Sequence, residues 1–309
     1  MKTEISVLIP SYNEIESLPE LLRQVEEVLS GITTAWEILV VDDGSTDGTD
    51  ELVMKLRAAE GRIKYIRLRR NSGKAAALEA GFREVRGEYV FTMDADLQDD
   101  PLEIPRFLEK LAEGYDLISG WKKKRYDPLS KTIPSRLFNR VTSFFAGIRL
   151  HDFNCGFKAY RREVIEEVEI YGELHRYIPA LAVARGFRVG EMVVKHHPRR
   201  HGVTKYGVGR FFKGPMDLLT VVFLSRFTRK PLHLFGFLGM LSMLLGGLVL
   251  GYLIWWKLTG NSLSNRPLLF FGVLAIIVGI QFISFGLLGE MITSGSSRKE
   301  YSIQQKELD

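Results

Sequence analysis

The sequence predicts an α/β domain with a mostly parallel, Rossmann-like sheet, followed by a hairpin of two transmembrane helices. Short β-branched segments alternate with helical patterns from residue 5 to residue 119. Two later segments, 232–256 and 267–289, contain no Lys, Arg, Asp or Glu. Each is longer than the roughly 20 apolar residues that cross a bilayer, so a purely soluble protein is excluded.

The alternation predicts the order of the elements in the first domain. Strands are expected at 5–9, 37–41, 63–68, 89–93 and 116–119, and helices near 17–30, 49–59, 73–85 and 101–113. Ser17, with Glu20 three residues later, predicts a capping box at the first helix. Strand–helix alternation with short connections favours a parallel sheet covered on both faces, whose ligands bind beyond the carboxyl ends of the strands.

Composition narrows the function classes further. The chain has 309 residues, a formal net charge of +5 and one cysteine, Cys155. A single cysteine excludes a disulfide scaffold. The N-terminal sequence MKTEISVLIPSYNE has only a short apolar stretch before Pro10, so no secretory signal is expected.

Positive charges around the two apolar segments predict the membrane orientation. Basic residues flank the pair on its outer sides, and the connecting loop holds only Lys257 and Arg266. Both chain ends are therefore expected in the cytoplasm. The predicted organisation is a cytoplasmic catalytic domain (1–204), interfacial amphipathic helices (205–230), two transmembrane helices (231–292) and a cytoplasmic tail (293–309). For 205–230, an ordinary amphipathic helix on the water-facing domain is the alternative.

The acidic segment after the fourth strand is the first candidate for chemistry. In Met93-Asp94-Ala95-Asp96-Leu97-Gln98, the two aspartates point the same way in an extended chain, about 6–7 Å apart. Two such carboxylates suit one divalent cation, or one binds the cation while the other holds a ribose hydroxyl. A solvated acidic turn is the alternative.

Two other segments occupy strand ends, and no standard phosphate-binding loop is present. Neither GxGxxG nor GxxxxGK[ST] occurs in the chain. Asp42-Asp43-Gly44-Ser45-Thr46-Asp47 follows the second strand and predicts a helix cap, an acceptor for a base or ribose, or both. Asn71-Ser72-Gly73-Lys74 opens the next helix and suits either an anion or a simple turn.

Together these segments resemble glycosyltransferase family 2, which has the GT-A fold. The matching sequences are IPSYNE (9–14), VDDGSTD (41–47), NSGK (71–74) and DADLQD (94–99). The resemblance implies a nucleotide-sugar donor and a divalent metal, Mg²⁺ or Mn²⁺. The donor-binding residues it implies are Pro10, Tyr12, Glu14, Asp43, Lys74, Asp94 and Ala95, and the metal ligands are Asp96, Gln98 and Asp94.

The second half resembles the polyprenyl-phosphate glycosyltransferases of the same family. The residues that carry this resemblance are DFNCGFKAYR (152–161) and RRHGVTKY (199–206), with two C-terminal spans. The resemblance implies a polyprenyl phosphate acceptor, either undecaprenyl or dolichyl, and inversion at the anomeric carbon. It adds Arg199 and Lys205 to the donor site, and it places the acceptor phosphate at Arg125, Lys131, Ser135 and Arg136.

The chemistry of the residues agrees with this implication. A lipid phosphate is already anionic at pH 7, so the enzyme must mainly align two substrates and stabilise the departing diphosphate. The predicted catalytic residues are Asp94, Asp96 and Asp152. Asp152 is interpreted as orienting an arginine, touching the sugar or acting as a base, with orientation favoured. His175 is either a sugar-side group or a structural histidine.

The resemblance, with the two apolar spans, implies a membrane-anchored, metal-dependent hexosyltransferase of the cell envelope. A membrane-bound glycosyltransferase with another acceptor and a non-catalytic nucleotide-binding scaffold are the alternatives. The expected partners are a nucleotide-sugar, a polyprenyl phosphate and the membrane, with no nucleic acid. The oligomeric state is left open, and a homo-oligomer is compatible with the sequence.

Overall fold

The chain folds into two compact units, one N-terminal and one C-terminal. The structure is a computed structural model that describes residues 3–123, 139, 142–143, 147–168, 174–198, 231–260, 262 and 267–294. The predicted boundary at residue 204 and the predicted interfacial helices at 205–230 lie outside these residues, so both stay predictions.

The N-terminal unit alternates strands and helices as predicted. Its elements are β1 (Ile5–Ser11), α1 (Leu18–Ile32), β2 (Trp36–Asp42), α2 (Thr49–Ala59), β3 (Ile63–Arg67), α3 (Lys74–Glu84), β4 (Tyr89–Thr92), α4 (Ile104–Ala112), β5 (Leu117–Trp121), β6 (Lys158–Arg161), α5 (Arg162–Glu167), α6 (Ile178–Ala184) and β7 (Val189–Val193). Short 3₁₀ turns at Pro101–Glu103 and Leu174–Tyr177 precede α4 and α6. All five predicted strands and all four predicted helices of this unit are confirmed.

One seven-stranded sheet forms the centre of this unit, in the order β3-β2-β1-β4-β6-β5-β7. The first four strands in that order pair in parallel, as do β5 and β7. Strand β6 runs antiparallel to both of its neighbours. The sheet is therefore mostly parallel, and the carboxyl ends of β1, β2 and β4 meet at one edge.

Apolar side chains cover both faces of the sheet. All seven residues of β2 are buried, as expected for a strand covered on two sides. Helices α1 and α4 pack on one face, where the rings of Phe107 and Phe157 are in contact, with centroids 4.6 Å apart and planes tilted by 46°. Helices α3 and α6 contribute Leu78 and Ile178 to the core on the other face. Both cores hold the strand ends rigidly, which is what a site at the sheet edge requires.

Strands β6 and β7 were not predicted. Strand β6 has four residues and begins with a lysine, and β7 contains both Gly190 and Glu191. Neither segment shows the β-branched run that marked the earlier strands. Their strand conformation comes from pairing with β4 and β5, which are distant in sequence, so tertiary context overrides local propensity.

The predicted capping box at α1 is wrong. The side chain of Ser17 makes no capping hydrogen bond to the helix. Instead its hydroxyl donates to Oε2 of Glu14 at 3.1 Å. Glu20 accepts from Nε2 of Gln24 at 2.9 Å, one turn further along. The backbone of Ser17 is helical, with φ of −92° and ψ of −30°, whereas an N-cap residue is typically extended, so its hydroxyl is not placed to accept from the helix amides.

The C-terminal unit is a hairpin of two helices, α7 (Pro231–Leu258) and α8 (Pro267–Ser294). Both are long and apolar enough to cross a membrane, as predicted. Glycines allow close contact: a Cβ at Gly239 would lie 2.7 Å from the carbonyl oxygen of Gly279. The hydroxyl of Ser242 donates to the carbonyl of Ala275 at 2.7 Å. Small residues and a polar cross-link are the usual means of packing helices in lipid.

Candidate active site

Loops after β1 and β2 are joined at the carboxyl edge of the sheet. Ser11 pairs with Asp42, so the two strands end side by side. The N–H of Asn13 donates to Oγ of Ser45 at 2.9 Å, and the N–H of Thr46 donates to Oδ1 of Asn13 at 2.8 Å. Asn13 adopts a left-handed backbone conformation with φ of 52°. The two predicted donor-binding loops therefore form one surface.

Asp43 links this surface to the start of α3. Its Oδ1 accepts from the N–H of Ser72 at 2.7 Å, and its Oδ2 accepts from the N–H of Gly73 at 2.9 Å. Gly44 has φ of +73°, and a Cβ there would lie 2.7 Å from the backbone carbon of Arg70. The structure thus brings the second and third predicted segments together, with Asp43 holding the loop that carries Lys74.

The capping alternative for the second segment is also satisfied, by Asp47. Its Oδ1 accepts from the N–H of Thr49, the first residue of α2, at 3.1 Å. Its Oδ2 accepts from the N–H of Ile15 at 3.1 Å. The two aspartates therefore have different contacts. Asp47 caps the start of α2, whereas Asp43 binds the backbone just before α3.

Asp94 lies among lysine charges that stabilise its ionised form. Its carboxylate forms an ion pair with Lys74. Burial alone would raise the pKa of Asp94, but Lys74, Lys122 and Lys158 outweigh burial and hold the pKa at about 2. The group is therefore ionised at any physiological pH, and it is surrounded by more positive than negative charge.

Asp96 and Gln98 lie on the loop that follows β4. Asp96 is 7% exposed, and its Oδ1 accepts from the N–H of Gln98 at 3.2 Å. The segment before Arg199 fixes this loop, because the N–H of His197 donates to the carbonyl of Gln98 at 2.9 Å. Asp99 forms an isolated bridge with His196 beside that contact. The predicted metal loop is thus held in place from its far side.

These residues fit a divalent cation that is shared with a substrate. Among the described residues, no group of three or more His, Cys, Asp and Glu side chains forms a complete metal site. Asp96 and Gln98 offer hard oxygen ligands, and Asp94 is already engaged by Lys74. Mg²⁺ characteristically takes one or two carboxylates and completes its shell with phosphate oxygens and water. These few oxygen ligands match that pattern, and they do not match a metal site whose ligands all come from the protein.

The segment 151–156 lies against Asp94. A Cβ at Gly156 would lie 2.5 Å from both carboxylate oxygens of Asp94, so only glycine permits this contact. Asp152 is fully buried, and its Oδ1 accepts from the N–H of Asn154 at 3.0 Å. Burial raises the pKa of the neighbouring Cys155 thiol to about 12, so the thiol stays protonated.

A small polar cavity opens beside this segment. Its lining includes Lys74, Asn154, Lys158, His175 and Arg176. Burial, with the nearby charges of Lys74 and Arg176, lowers the pKa of His175 well below its usual value. His175 is therefore neutral at pH 7 and lines the cavity, which leaves both of its predicted roles open.

The other predicted donor residues lie close to the same edge. Pro10 is near the end of β1, and Tyr12 and Glu14 follow in the adjoining loop. Several predicted residues lie outside the described part of the chain, namely Arg125, Lys131, Ser135, Arg136, Arg199 and Lys205.

Sequence reasoning missed two lysines and a glutamate at the site. Lys122 forms an ion pair with Asp99 at 2.8 Å, directly after β5. Lys158 was noted only as part of a motif, yet it is buried, and its charge helps to lower the pKa of Asp94. Glu191 accepts from the N–H of Asp152 at 3.0 Å. The sequence offered a signal for the two lysines. Lys122 lies shortly after a predicted strand, and Lys158 lies within the motif 152–161. Glu191 had none.

Comparison with known proteins gives a consistent result for the N-terminal unit. A model of the family described as glycosyl transferase family 2 matches residues 6–169. The chain is also similar to crystal structures of glucosyl-3-phosphoglycerate synthase from Mycobacterium tuberculosis. One of these, in complex with Mn²⁺, uridine diphosphate and phosphoglyceric acid, has a TM-score of 0.55 and 17% identity, over 72% of this chain and 78% of the other. At that identity the likeness supports the fold.

Curated relatives match nearly the whole chain. A dodecaprenyl-phosphate galacturonate synthase from Rhizobium johnstonii is 40% identical over 97% of this chain and 90% of its own length. An undecaprenyl-phosphate 4-deoxy-4-formamido-L-arabinose transferase from Pseudomonas paraeruginosa is 38% identical over 93% of this chain and 84% of its own length. These matches extend past the catalytic unit into the helical hairpin.

Proposed function

Because the chain belongs to glycosyl transferase family 2 and is a polyprenyl-phosphate glycosyltransferase by its relatives, we propose that it moves one sugar from a nucleotide-sugar to a polyprenyl phosphate. The products are a polyprenyl-phosphate sugar and a nucleoside diphosphate. The observation that carries this proposal is the carboxyl edge of the sheet, where Asp94 and Asp96 share one loop and lysines surround Asp94. An anionic donor requires both features.

The donor diphosphate is expected to bind between the metal loop and the start of α3. Asp96 and Gln98, with Asp94 beside them, would hold Mg²⁺ or Mn²⁺ together with the diphosphate. Held there, the cation would supply Lewis-acid neutralisation of the charge on the departing diphosphate. Asp43 orients the backbone that carries Lys74, and Lys74 in turn orients Asp94. Pro10, Tyr12, Glu14 and Ala95 complete the proposed donor site.

The acceptor needs no strong base, because a lipid phosphate is ionised at pH 7. Asp152 is buried and its Oδ1 already accepts a backbone hydrogen bond, which favours orientation over proton abstraction. Cations must instead bring two anionic substrates together, and arginine matches phosphate oxygens well. We assign the acceptor phosphate to Arg125, Lys131, Ser135 and Arg136, and a further donor contact to Arg199 and Lys205. Attack from the opposite side of the sugar would invert the anomeric centre.

The helical hairpin would keep the enzyme at the membrane that holds its acceptor. Helices α7 and α8 have the length and composition of membrane spans. The distribution of basic residues at their flanks supports a cytoplasmic catalytic unit and cytoplasmic termini. Reporter fusions at each terminus and in the 259–266 loop test this orientation. A loop reporter on the cytoplasmic side would contradict it.

A donor panel identifies the sugar. The named relatives make galacturonate and 4-deoxy-4-formamido-L-arabinose lipids, so UDP-galacturonate and the corresponding arabinose donor belong in the panel with UDP-glucose, GDP-mannose and UDP-N-acetylglucosamine. Each donor is incubated with the full chain in membranes, undecaprenyl phosphate and MgCl₂ or MnCl₂. Mass spectrometry of the lipid product reports which sugar is transferred.

Asp96→Asn is the sharpest test of the reaction itself. The variant keeps the shape of the side chain but removes the charge that binds the cation, so turnover should fall about 10²- to 10³-fold or more. Glu113→Gln is the control, since Glu113 follows α4 before the amino end of β5, and its exposed ion pair with Lys110 lies outside the predicted donor loops. Full activity of Asp96→Asn with Mg²⁺ or Mn²⁺ would overturn the proposed function.

A further inference from the structure

A row of polar side chains crosses four neighbouring strands beneath the segment 151–156. Thr92 pairs with Lys158, Lys158 with Ser119, and Ser119 with Glu191. Because paired residues project from the same face of a sheet, the four side chains form one continuous line. Three of them are almost completely buried, at 3%, 4% and 0% exposure for Thr92, Lys158 and Ser119.

Buried polar groups are costly unless they are hydrogen-bonded, so the partners of this row indicate its purpose. Each of its four side chains contacts the backbone of the segment 151–156. We infer that Thr92, Lys158, Ser119 and Glu191 are positioning residues that fix this segment against Asp94. The inference rests on the proposed function, which places Asp94 and Asp152 at the reaction.

The inner half of the row holds the end of the segment next to Asp94. The hydroxyl of Thr92 donates to the carbonyl of Gly156 at 2.8 Å. The ammonium of Lys158 donates to the carbonyl of Cys155 and lies 3.5 Å from that of Phe153. Gly156 is the residue whose Cα the carboxylate of Asp94 packs against. A shift of this backbone would therefore move Asp94 directly.

The outer half holds both sides of the Asp152 backbone. The hydroxyl of Ser119 donates to the carbonyl of Asp152 at 3.4 Å. Oε1 of Glu191 accepts from the N–H groups of His151 and Asp152, at 2.8 Å and 3.0 Å. Hydrogen bonds to an ionised acceptor are stronger than neutral ones, so Glu191 contributes the firmest contact of the outer half.

A second contact keeps Glu191 in place. Its Oε2 lies 2.7 Å from Nδ1 of His151. The His151 ring stacks on Trp121, with centroids 4.0 Å apart and planes at 11°. Trp121 ends β5, and Glu191 lies on the adjacent β7. The start of the segment is thus clamped to the sheet through both the backbone and the imidazole.

Glu191→Ala and Glu191→Gln separate positioning from mere bulk. Glutamine retains an oxygen that accepts both N–H groups, whereas alanine loses every contact. We expect kcat of Glu191→Ala to fall about 10- to 100-fold, the effect of a slightly displaced reacting group, with the donor KM changed less than about 3-fold. Glu191→Gln should recover to within about 3-fold of the original chain. Glu166→Ala, which removes an exposed ion pair with Arg162 on α5, is the matched control.

Hydrogen exchange supplies the readout that a general loss of stability would not produce. In Glu191→Ala, amides of 151–156 should exchange faster while those of α1 and α2 keep their protection, and Glu191→Gln should restore the slow exchange. A double-mutant cycle with Gly156→Ala adds a further test. Because both substitutions displace the same segment, their effects on kcat should be less than additive.

The outcomes distinguish this inference from the proposed function. Activity of Glu191→Ala within about 2-fold of the original chain, Glu191→Gln no better than Glu191→Ala, or fully additive effects with Gly156→Ala would each overturn the polar row. The proposed function would stand in all three cases, because its own test is the loss of turnover in Asp96→Asn. If Glu191→Ala does not fold, Ser119→Ala removes the adjacent contact and is held to the same kcat and exchange criteria.

Discussion

The N-terminal catalytic unit buries large apolar side chains, whereas the helical hairpin buries small residues and exposes many of its large apolar ones. In the catalytic unit the large apolar side chains of β1 and β2 are buried, and the predicted site residues after β1, β2 and β4 lie at the carboxyl edge of the sheet. In the hairpin, large apolar side chains such as Phe270 (78% exposed) point outward, whereas Gly239 and Gly246 lie in the helix contact. The difference identifies the solvent of each unit. Water drives apolar groups inward in the first, and lipid leaves only close packing to join the helices of the second.

A glycine in each unit makes the comparison concrete. Gly156 is required by a carboxylate, since a Cβ there would lie 2.5 Å from Asp94. Gly239 is required by a helix, since a Cβ there would lie 2.7 Å from the carbonyl of Gly279. The same steric restriction accommodates a predicted site residue in one unit and helix packing in the other. The substitutions below should therefore fail in different assays.

Among the substitutions that compare the two units, Gly156→Ala has the largest expected effect, and that effect is on turnover. The added methyl group must push the Asp94 carboxylate away from its lysines, so kcat should fall by about 10²-fold. The unfolding temperature should change little, because the contact is to a charged group at the site edge. Steady-state kinetics and differential scanning fluorimetry measure the two quantities. Gly61→Ala is the control, since a Cβ at Gly61 has no atom within 4 Å. Equal kcat for the two variants would contradict the contact with Asp94.

Gly239→Val should produce the reverse pattern. Overpacking the helix contact is expected to destabilise the hairpin by about 1–3 kcal/mol. Thermal unfolding of the full chain in detergent, followed by helical circular dichroism, measures the loss. Gly247→Val is the matched control, because nothing lies within 4 Å of a Cβ at Gly247 on the same helix. If both variants unfold alike, the glycine contact does not hold the hairpin together.

The smallest expected effect concerns pH and His175. Burial and nearby cations lower the pKa of His175 in the folded chain, so the unfolded chain binds more protons below about pH 6.5. Stability is therefore lost as the pH falls from that value toward the lowered pKa. Between pH 7 and pH 5, the unfolding temperature should drop about 2–4 °C more in the original chain than in His175→Asn. Parallel pH curves for the two proteins would show that His175 is not held neutral.

Much of the catalytic unit was predictable because its signals are local. Each of the five predicted strands has its own run of apolar residues, so the strand can be recognised without knowing which strands pair with it. The acidic residues follow those runs directly, so their meeting at one edge follows from parallel pairing alone. The two spans were equally clear, since uncharged segments of that length have few alternatives.

The missed features depend on pairings between distant residues. Strand β6 begins with Lys158, a residue that propensity assigns to the surface, and its antiparallel insertion between β4 and β5 buries it. The error at Ser17 has a local origin, because its backbone is helical where an N-cap residue is extended, and its hydroxyl donates to Glu14. Where a side chain has several possible partners, the fold decides which of them it contacts.

The sequence by itself determined the family, the parallel strands, the acidic loop after β4 and the two apolar helices, because each is written in consecutive residues. Only the tertiary structure decided that Lys74 pairs with Asp94, that the charges of Lys122 and Lys158 also lower its pKa, and that Gly156 lies against it. It also decided that one row of polar side chains contacts the backbone of the segment 151–156. The physical reason is the register of the sheet: hydrogen bonds between strands align residues that no local pattern connects.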